Sequence, residues 1–343
     1  MTRDDHADLP SEEERSRQRP RRVGLGSRRQ ILWTLVALVV AVPIVILPYI
    51  DLVAGGLVPI AQALLPAGAL ALLVLAVVPL LARAWVAASV LAVAAVLAVV
   101  PVLTPLPAAI PCETSTPLTV LSFNAKFAGA DPQQLAELVR SSGAGAVILV
   151  ETDEALLDAV LAGQGLASEL PYRTGEVSPY AVNGSVILSA YPLRDESEIP
   201  GSVFDQVSAV ATLPDGSDVR LAAVHPPPPI GQPDRWYDGV AAIGVWIRGT
   251  DDQRLIVAGD FNASFSHPVF RDLTSGLRTA AEAAGAVPWP TWPQEKPVPA
   301  FTAIDHVLGR GAVPTGWDSV YIEGSDHRAV IANWMLCEQS DRS

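Results

Sequence analysis

Charge is almost missing from one long stretch of this chain: between Ile31 and Leu103 only Asp51 and Arg83 carry it. A run of that length excludes an ordinary soluble core element and brings a bilayer into consideration first. Cysteine is nearly absent, with 2 residues in 343, so neither a disulfide-dense scaffold nor a Cys-ligated zinc framework is available. No HExxH, GxSxG or GxxxxGK[ST] segment occurs, which argues against a zincin, a serine hydrolase and a P-loop enzyme. Lysine is limited to Lys126 and Lys296, and past the N-terminal tail no run of basic residues is found. Residues 112–343 hold 14 Lys/Arg against 29 Asp/Glu, so this part of the chain does not attract polyanions by its overall field. If it handles phosphates, cations must mediate.

What is present divides the chain into parts. Residues 1–30 form an Arg-rich polar tail, expected to be disordered. Residues 31–104 hold three apolar stretches, 31–50, 57–81 and 84–103, each near the roughly 20 residues that a membrane-spanning helix needs. Pro43, Pro48, Pro59, Pro66 and Pro79 are expected to kink or end these helices. The arginines of the tail place the N-terminus in the cytoplasm, and three crossings put all that follows on the outer side. A linker, 105–117, leads to a domain at 118–337 and a short tail at 338–343. Cys112 and Cys337 bracket that domain, and a bracketing pair in an oxidising compartment is expected to form a disulfide; two unrelated thiols are the alternative.

Within 118–337, short β-branched runs alternate with helical segments. LTVLSF, AVILV, GSVILSA, SAVATL, VRLAAVH, RLIVAGD, AIDHVLG and AVIANWML read as strands, and 132–141, 154–161 and 236–248 as helices. Strand after strand ends in a polar or ionisable residue: Asn124, Glu151, His225, Asp260 with Asn262 close behind, Asp305, and the pair Asp326–His327. Each has an ordinary explanation taken singly; Asn124 suits a turn, and Glu151 suits the start of a helix. Taken together they converge on one rim of a sheet, where sites are built. Carboxylates and amides make a hard-oxygen cation site, and two histidines supply proton-transfer groups.

The segments LSFNAKF, VILVET, NGSVILSAYPL, AAVHPPPP, IVAGDFNAS, IDHVL and GSDHRAV, in this order, resemble the endonuclease/exonuclease/phosphatase family over about 220 residues. The helices in front resemble a membrane-anchored bacterial branch of it. The resemblance implies an α/β four-layer sandwich of two mixed β-sheets flanked by helices, here preceded by three transmembrane helices. It implies that Glu151 binds a divalent cation, Mg²⁺ or Mn²⁺ with Ca²⁺ as a further option, assisted by Asn124 and Asp326. Asp260 would position or deprotonate water, Asn262 would help hold the phosphate, and His327, oriented by Asp305, would contact it; His225 resembles the family's second active-site histidine. The expected substrate is a phosphate ester of a nucleic acid, a nucleotide or a lipid head group, handled outside the cytoplasm with no obligate protein partner. A catalytically silent envelope scaffold and a lipid or inositol-phosphate phosphatase are the competing readings. Lys126, Arg173, Arg235, Arg310 and Arg328 are the scattered basic candidates for gripping substrate, and Trp289 and Trp292 could edge the site or pack beneath it.

Overall fold

A computed structural model describes residues 25–103, 112, 115–285, 289–294, 297 and 299–337. Most of the polar tail, most of the linker and the stretch 338–343 lie outside the described residues.

The apolar region forms α1 (Leu25–Ile46), α2 (Leu57–Ala63), α3 (Leu65–Leu81) and α4 (Trp85–Val99). The number of spans comes to two, or to three if the bent pair in the middle counts as one. Two helices are long and apolar enough to cross a membrane, and the middle stretch is a pair, α2 and α3, bent by 63°. The cause is local: Pro66 stands at the start of α3 and has no N–H to continue the ladder through Leu64. The first helix also begins at Leu25, within the expected tail. Ala37, Ala41, Leu72, Ala87, Leu91 and Ala95 bury the contact between these helices, small side chains letting the backbones approach.

The soluble part contains β1 (Ser115–Asn124), α5 (Pro132–Ser142), β2 (Ala146–Val150), α6 (Glu154–Ala162), α7 (Leu166–Glu169), β3 (Tyr172–Arg173), β4 (Ser185–Ser189), β5 (Leu193–Glu198), β6 (Val207–Thr212), β7 (Asp218–Val224), α8 (Pro233–Gly249), β8 (Leu255–Asp260), α9 (Pro268–Leu273), β9 (Arg278–Thr279), β10 (Asp305–Arg310), β11 (Ala312–Tyr321) and β12 (Arg328–Cys337). They make two six-stranded mixed sheets, ordered β11-β12-β1-β2-β4-β3 and β5-β6-β7-β8-β10-β9. Each sheet has one parallel pair, β1 with β2 and β7 with β8.

Alternation along the strands builds the layers. Val120, Ile148 and Ile187 of the first sheet meet Leu221, Ala223, Ile256 and Ala258 of the second in the inter-sheet core. The residues between them point the other way: Leu121, Phe123 and Leu149 pack under Leu135, Val139 and Leu157 of α5 and α6. Ala222, Val224 and Val257 do the same beneath Val240, Ile243 and Phe270 of α8 and α9. Helix, sheet, sheet and helix are therefore stacked as expected.

Asp131 caps α5 by accepting from the Gln133 and Gln134 amides at 2.9 Å, and Asp153 caps α6 by accepting from Leu156. The acid that opens α6 is thus Asp153, which releases Glu151 for other work. Cys112 and Cys337 are disulfide-bonded with Cα atoms 5.1 Å apart, next to the Ser115–Cys337 register pair and at the end of β1 away from Asn124.

Candidate active site

The two parallel pairs set the rim. β1, β2, β7 and β8 all point the same way out of the sandwich, so Asn124, Glu151, His225 and Asp260 emerge together at their C-terminal ends. β10 runs antiparallel to β8 with Asp305 opposite Asp260, which brings the start of β10 to the same edge. His327 arrives at the start of β12.

Asn124 is fully buried and joins the two sheets: its Nδ2 donates to Glu151 Oε1 and to Asp260 Oδ2, each at 3.0 Å. Its own oxygen accepts the Lys126 amide at 2.8 Å. Glu151 Oε2 accepts from the Phe127 amide at 3.1 Å. Asp260 Oδ1 accepts from the Asn262 amide at 2.8 Å, while Oδ2, held by Asn124, is the oxygen that both histidines approach. His225 Nε2 lies 3.5 Å from Glu151 and 3.7 Å from Asp260, and His327 Nε2 lies 3.7 Å from Asp260. His327 Nδ1 sits 3.0 Å from both oxygens of Asp305. The backbone at Gly259 is part of this arrangement: its φ is +147°, and a Cβ there would meet the Val224 carbonyl at 2.0 Å.

Two overlapping groups of ligand atoms result, Glu151 with His225 and Asp260, and Asp260 with Asp305 and His327, each within 4.8 Å. Burial sets their protonation. It pushes the Glu151 carboxyl up, against the pull of the Asn124 hydrogen bond and of His327. It lifts Asp260 to about 7, with His327 opposing and Asp305 assisting. It lowers His225 to about 3, so this imidazole is neutral and its buried Nδ1 has no protein partner. Burial also acts against a charge on His327, but Asp305 and Asp260 outweigh it and raise that group to about 10. Crowded carboxylates under strain of desolvation, an oxygen-rich set and a neutral imidazole fit a hard divalent cation.

Not every expected residue joins the cluster. Asp326 stays at the rim, 3.9 Å from Lys126 Nζ, and belongs to neither group. The Asn262 side chain donates to the Pro226 carbonyl at 3.0 Å. Of the basic candidates, Arg173 forks onto Glu154, Arg310 donates to the Ile247, Thr250 and Asp252 carbonyls, Arg328 holds Ser319, and Arg235 bonds Gln232. Lys126 is the one that reaches a carboxylate at the rim, that of Asp326. Trp292 packs edge-on against Phe301, whereas Trp289 is half exposed.

Several supporting residues carry no motif. Ser325 donates to the Asn124 carbonyl and accepts from the His327 amide; Gln294 donates to the carbonyls of Ser325 and His327. Thr291 accepts from the Asp305 amide, and Gln206 accepts from the His225 amide, whose ring stacks on Phe204 at 4.8 Å. Only their places within GSDH and TWPQ could have flagged Ser325 and Gln294.

Residues 121–327 match the profile of the Endonuclease/Exonuclease/phosphatase family. The chain belongs to that family, which its name describes as nucleases and phosphatases. No curated protein matches it. Among solved structures, Danio rerio TDP2 complexed with single-strand DNA product is 15% identical, with a TM-score of 0.52 over 64% of this chain and 99% of that one. The human Nocturnin catalytic domain with bound sulfate is 16% identical, with a TM-score of 0.51 over 64% and 94%. An endonuclease/exonuclease/phosphatase from Beutenbergia cavernae is 17% identical, at 0.50 over 64% and 72%. At these identities the likeness is one of fold.

Proposed function

We propose that this chain is a membrane-anchored, divalent-metal-dependent phosphoesterase that works on the outer side of the membrane, as in a bacterial branch of the family. The observation that carries the reading is the convergence of half-buried Glu151 with the buried Asp260, Asp305, His225 and His327 around Asn124. A silent scaffold has no use for three desolvated carboxylates at one point, because each opposes folding unless a ligand compensates it.

Glu151, with Asn124 holding it and Asp326 at the rim, would hold Mg²⁺ or Mn²⁺, with Ca²⁺ as the third choice. Such a cation supplies charge neutralisation at the phosphate oxygens and at the leaving oxygen. Asp260 orients and deprotonates the attacking water: its Oδ1 is fixed by the Asn262 amide and its Oδ2 by the Asn124 side chain, and its raised affinity for a proton makes it a competent base near neutral pH. His327, kept cationic by Asp305, donates through Nε2 to a non-bridging phosphate oxygen. His225 stays neutral and offers a second contact to the phosphate. Asn262 supports the same phosphate with the amide hydrogen that Pro226 leaves free.

The substrate is a phosphate ester. Four of the five basic candidates are occupied elsewhere and the domain is acidic, which favours single strands, nucleotides or lipid head groups over long duplex DNA. The single-strand DNA product on the related D. rerio fold is compatible with that range. Two spanning helices and a bent third segment would carry the domain from a cytoplasmic N-terminus to the outer face, and the disulfide supports an oxidising compartment. The decisive experiment is hydrolysis of bis(p-nitrophenyl) phosphate by the full chain in detergent, with each cation in turn. Asp260→Ala is expected to abolish turnover while the thermal transition stays in place; unchanged turnover would sink the proposal.

A further inference from the structure

The segment 47–64, the connection after α1 together with the short helix α2, does not hang free. It forms one face of the soluble domain, at the site-rim ends of α8 and α9. His267, itself buried, places Nε2 at 3.0 Å from the Pro59 carbonyl while Nδ1 accepts the Ser264 amide at 2.9 Å. Arg271 donates to the Pro48 carbonyl, and the Tyr237 hydroxyl donates to Asp51 at 2.9 Å. The loop is closed on itself by Gln62, whose amide donates to the carbonyls of Leu47 and Ile50.

At its tip the loop touches the segment that follows His225. Gly56 has φ of +91°, and a Cβ there would meet the Pro229 carbonyl at 2.8 Å. Residues 226–229 are four prolines, which have no N–H to tie the segment down and whose fixed φ makes it stiff. Its place is therefore set by what packs on it. From there two routes lead to the same residue. Pro226 accepts the Asn262 side chain at 3.0 Å. His267 packs edge-on against Trp236 at 5.2 Å, and Trp236 Nε1 donates to the Asn262 carbonyl at 3.0 Å. Asn262 in turn donates its amide to Asp260, from a left-handed backbone with φ of +48°.

We propose that the segment 47–64, loop and α2 together, is a positioning element of the active site, which holds Asn262 and the His225 segment in place through Gly56 and His267. The anchor then does more than tether: turnover depends on its loop being docked, even for a substrate free in solution. This inference rests on the hydrolase reading above.

The test uses the full chain in detergent, with bis(p-nitrophenyl) phosphate and Mn²⁺ as probes. Gly56→Ala forces the loop off Pro229 and is expected to lower kcat by about 100-fold, the effect of an ångström-scale misplacement. Mn²⁺ affinity should stay within about threefold, since Glu151 and Asn124 lie on the other sheet. Gly55→Ala is the matched control: Gly55 is also left-handed, with φ of +65°, but a Cβ there meets nothing within 4 Å, so kcat should hold. His267→Ala should lower kcat by about tenfold, and His267→Gln, which can still donate to Pro59, should recover most of it. If Gly56→Ala loses Mn²⁺ binding, it has misfolded and the His267 pair decides. Turnover unchanged in His267→Ala, or in a folded Gly56→Ala, overturns this inference alone. A wild-type chain with no turnover under any cation overturns the hydrolase reading and this inference with it.

Discussion

Asp305→Asn isolates the electrostatic part of the proposed chemistry from its geometry. Both Asp305 oxygens lie 3.0 Å from His327 Nδ1, and an asparagine oxygen can still accept from that nitrogen. What disappears is the charge. Two unit charges 3 Å apart attract by about 5 kcal/mol at an effective dielectric constant near 20, which is the contribution that offsets burial of the imidazolium. Asp260, at 3.7 Å from Nε2, is left as the nearest compensating anion. Losing about 3–5 kcal/mol of support for the group that meets the phosphate corresponds to a fall in kcat of about 10²–10⁴-fold. Mn²⁺ affinity and KM should change far less, because the carboxylate is already engaged by His327. The assay is steady-state hydrolysis of bis(p-nitrophenyl) phosphate alongside a Mn²⁺ titration of the same preparation. A variant whose kcat stays within about threefold of wild type refutes the reasoning. So does a loss that appears wholly as weakened Mn²⁺ binding, which would make Asp305 a ligand rather than the partner of His327.

Two further outcomes concern the disulfide and His267. The Cys112–Cys337 bond spans 225 residues, and loop-closure entropy assigns it about 5 kcal/mol at most, so Cys112→Ser should lower the urea midpoint sharply. It lies at the end of β1 away from Asn124, so kcat should be retained under folding conditions; an unchanged midpoint would show that the thiols are not joined. His267 gives an acid-side slope. Burial lowers its pKa from 6.5 to about 4, against the upward pull of the Pro59 and Ser264 bonds. Above pH 6.5 both native and unfolded chains hold it neutral and its stability contribution is complete. Between pH 6.5 and 4 the unfolded chain takes up a proton that the native one refuses. Stability therefore falls on acidification, by about 2 kcal/mol between pH 7 and 5. His267→Gln should flatten that part of the profile in denaturant titrations; identical slopes would remove His267 from the account.

Residue type and strand pattern made much of the site legible. Asn124, Glu151, Asp260 and Asp305 each close a short β-branched run or open one, and side-chain alternation is a local property that survives in a linear string. β5 was not legible, because LRDESE is a charged, exposed edge strand whose pattern guards against pairing instead of filling a core. β11 was hidden by Pro314 and Gly316, which mark a register shift against β12. The bend between α2 and α3 could be placed only loosely among five prolines, since the outcome depends on which N–H the helix needs.

The backbone at the site was hidden for a different reason. Of the eight non-glycine residues with positive φ among the described residues, Lys126, Phe127, Ala128, Glu151 and Asn262 surround the proposed centre. None is a residue type that demands such a conformation, apart from Asn262, and each costs on the order of 1 kcal/mol or more. They are held by bonds across the fold: the Lys126 amide on Asn124, the Phe127 amide on the Glu151 carboxylate, the Ala128 amide on the Glu151 carbonyl at 2.7 Å. A turn of three left-handed residues thus wraps the carboxylate and carbonyl of Glu151, whose own backbone is left-handed. This coupling links residues far apart in the chain, as do the contacts of Pro59 with His267 and of Gly56 with Pro229. Sequence pattern records which groups do chemistry; the strain that aims them exists only once the two sheets and the helical loop have closed on one another.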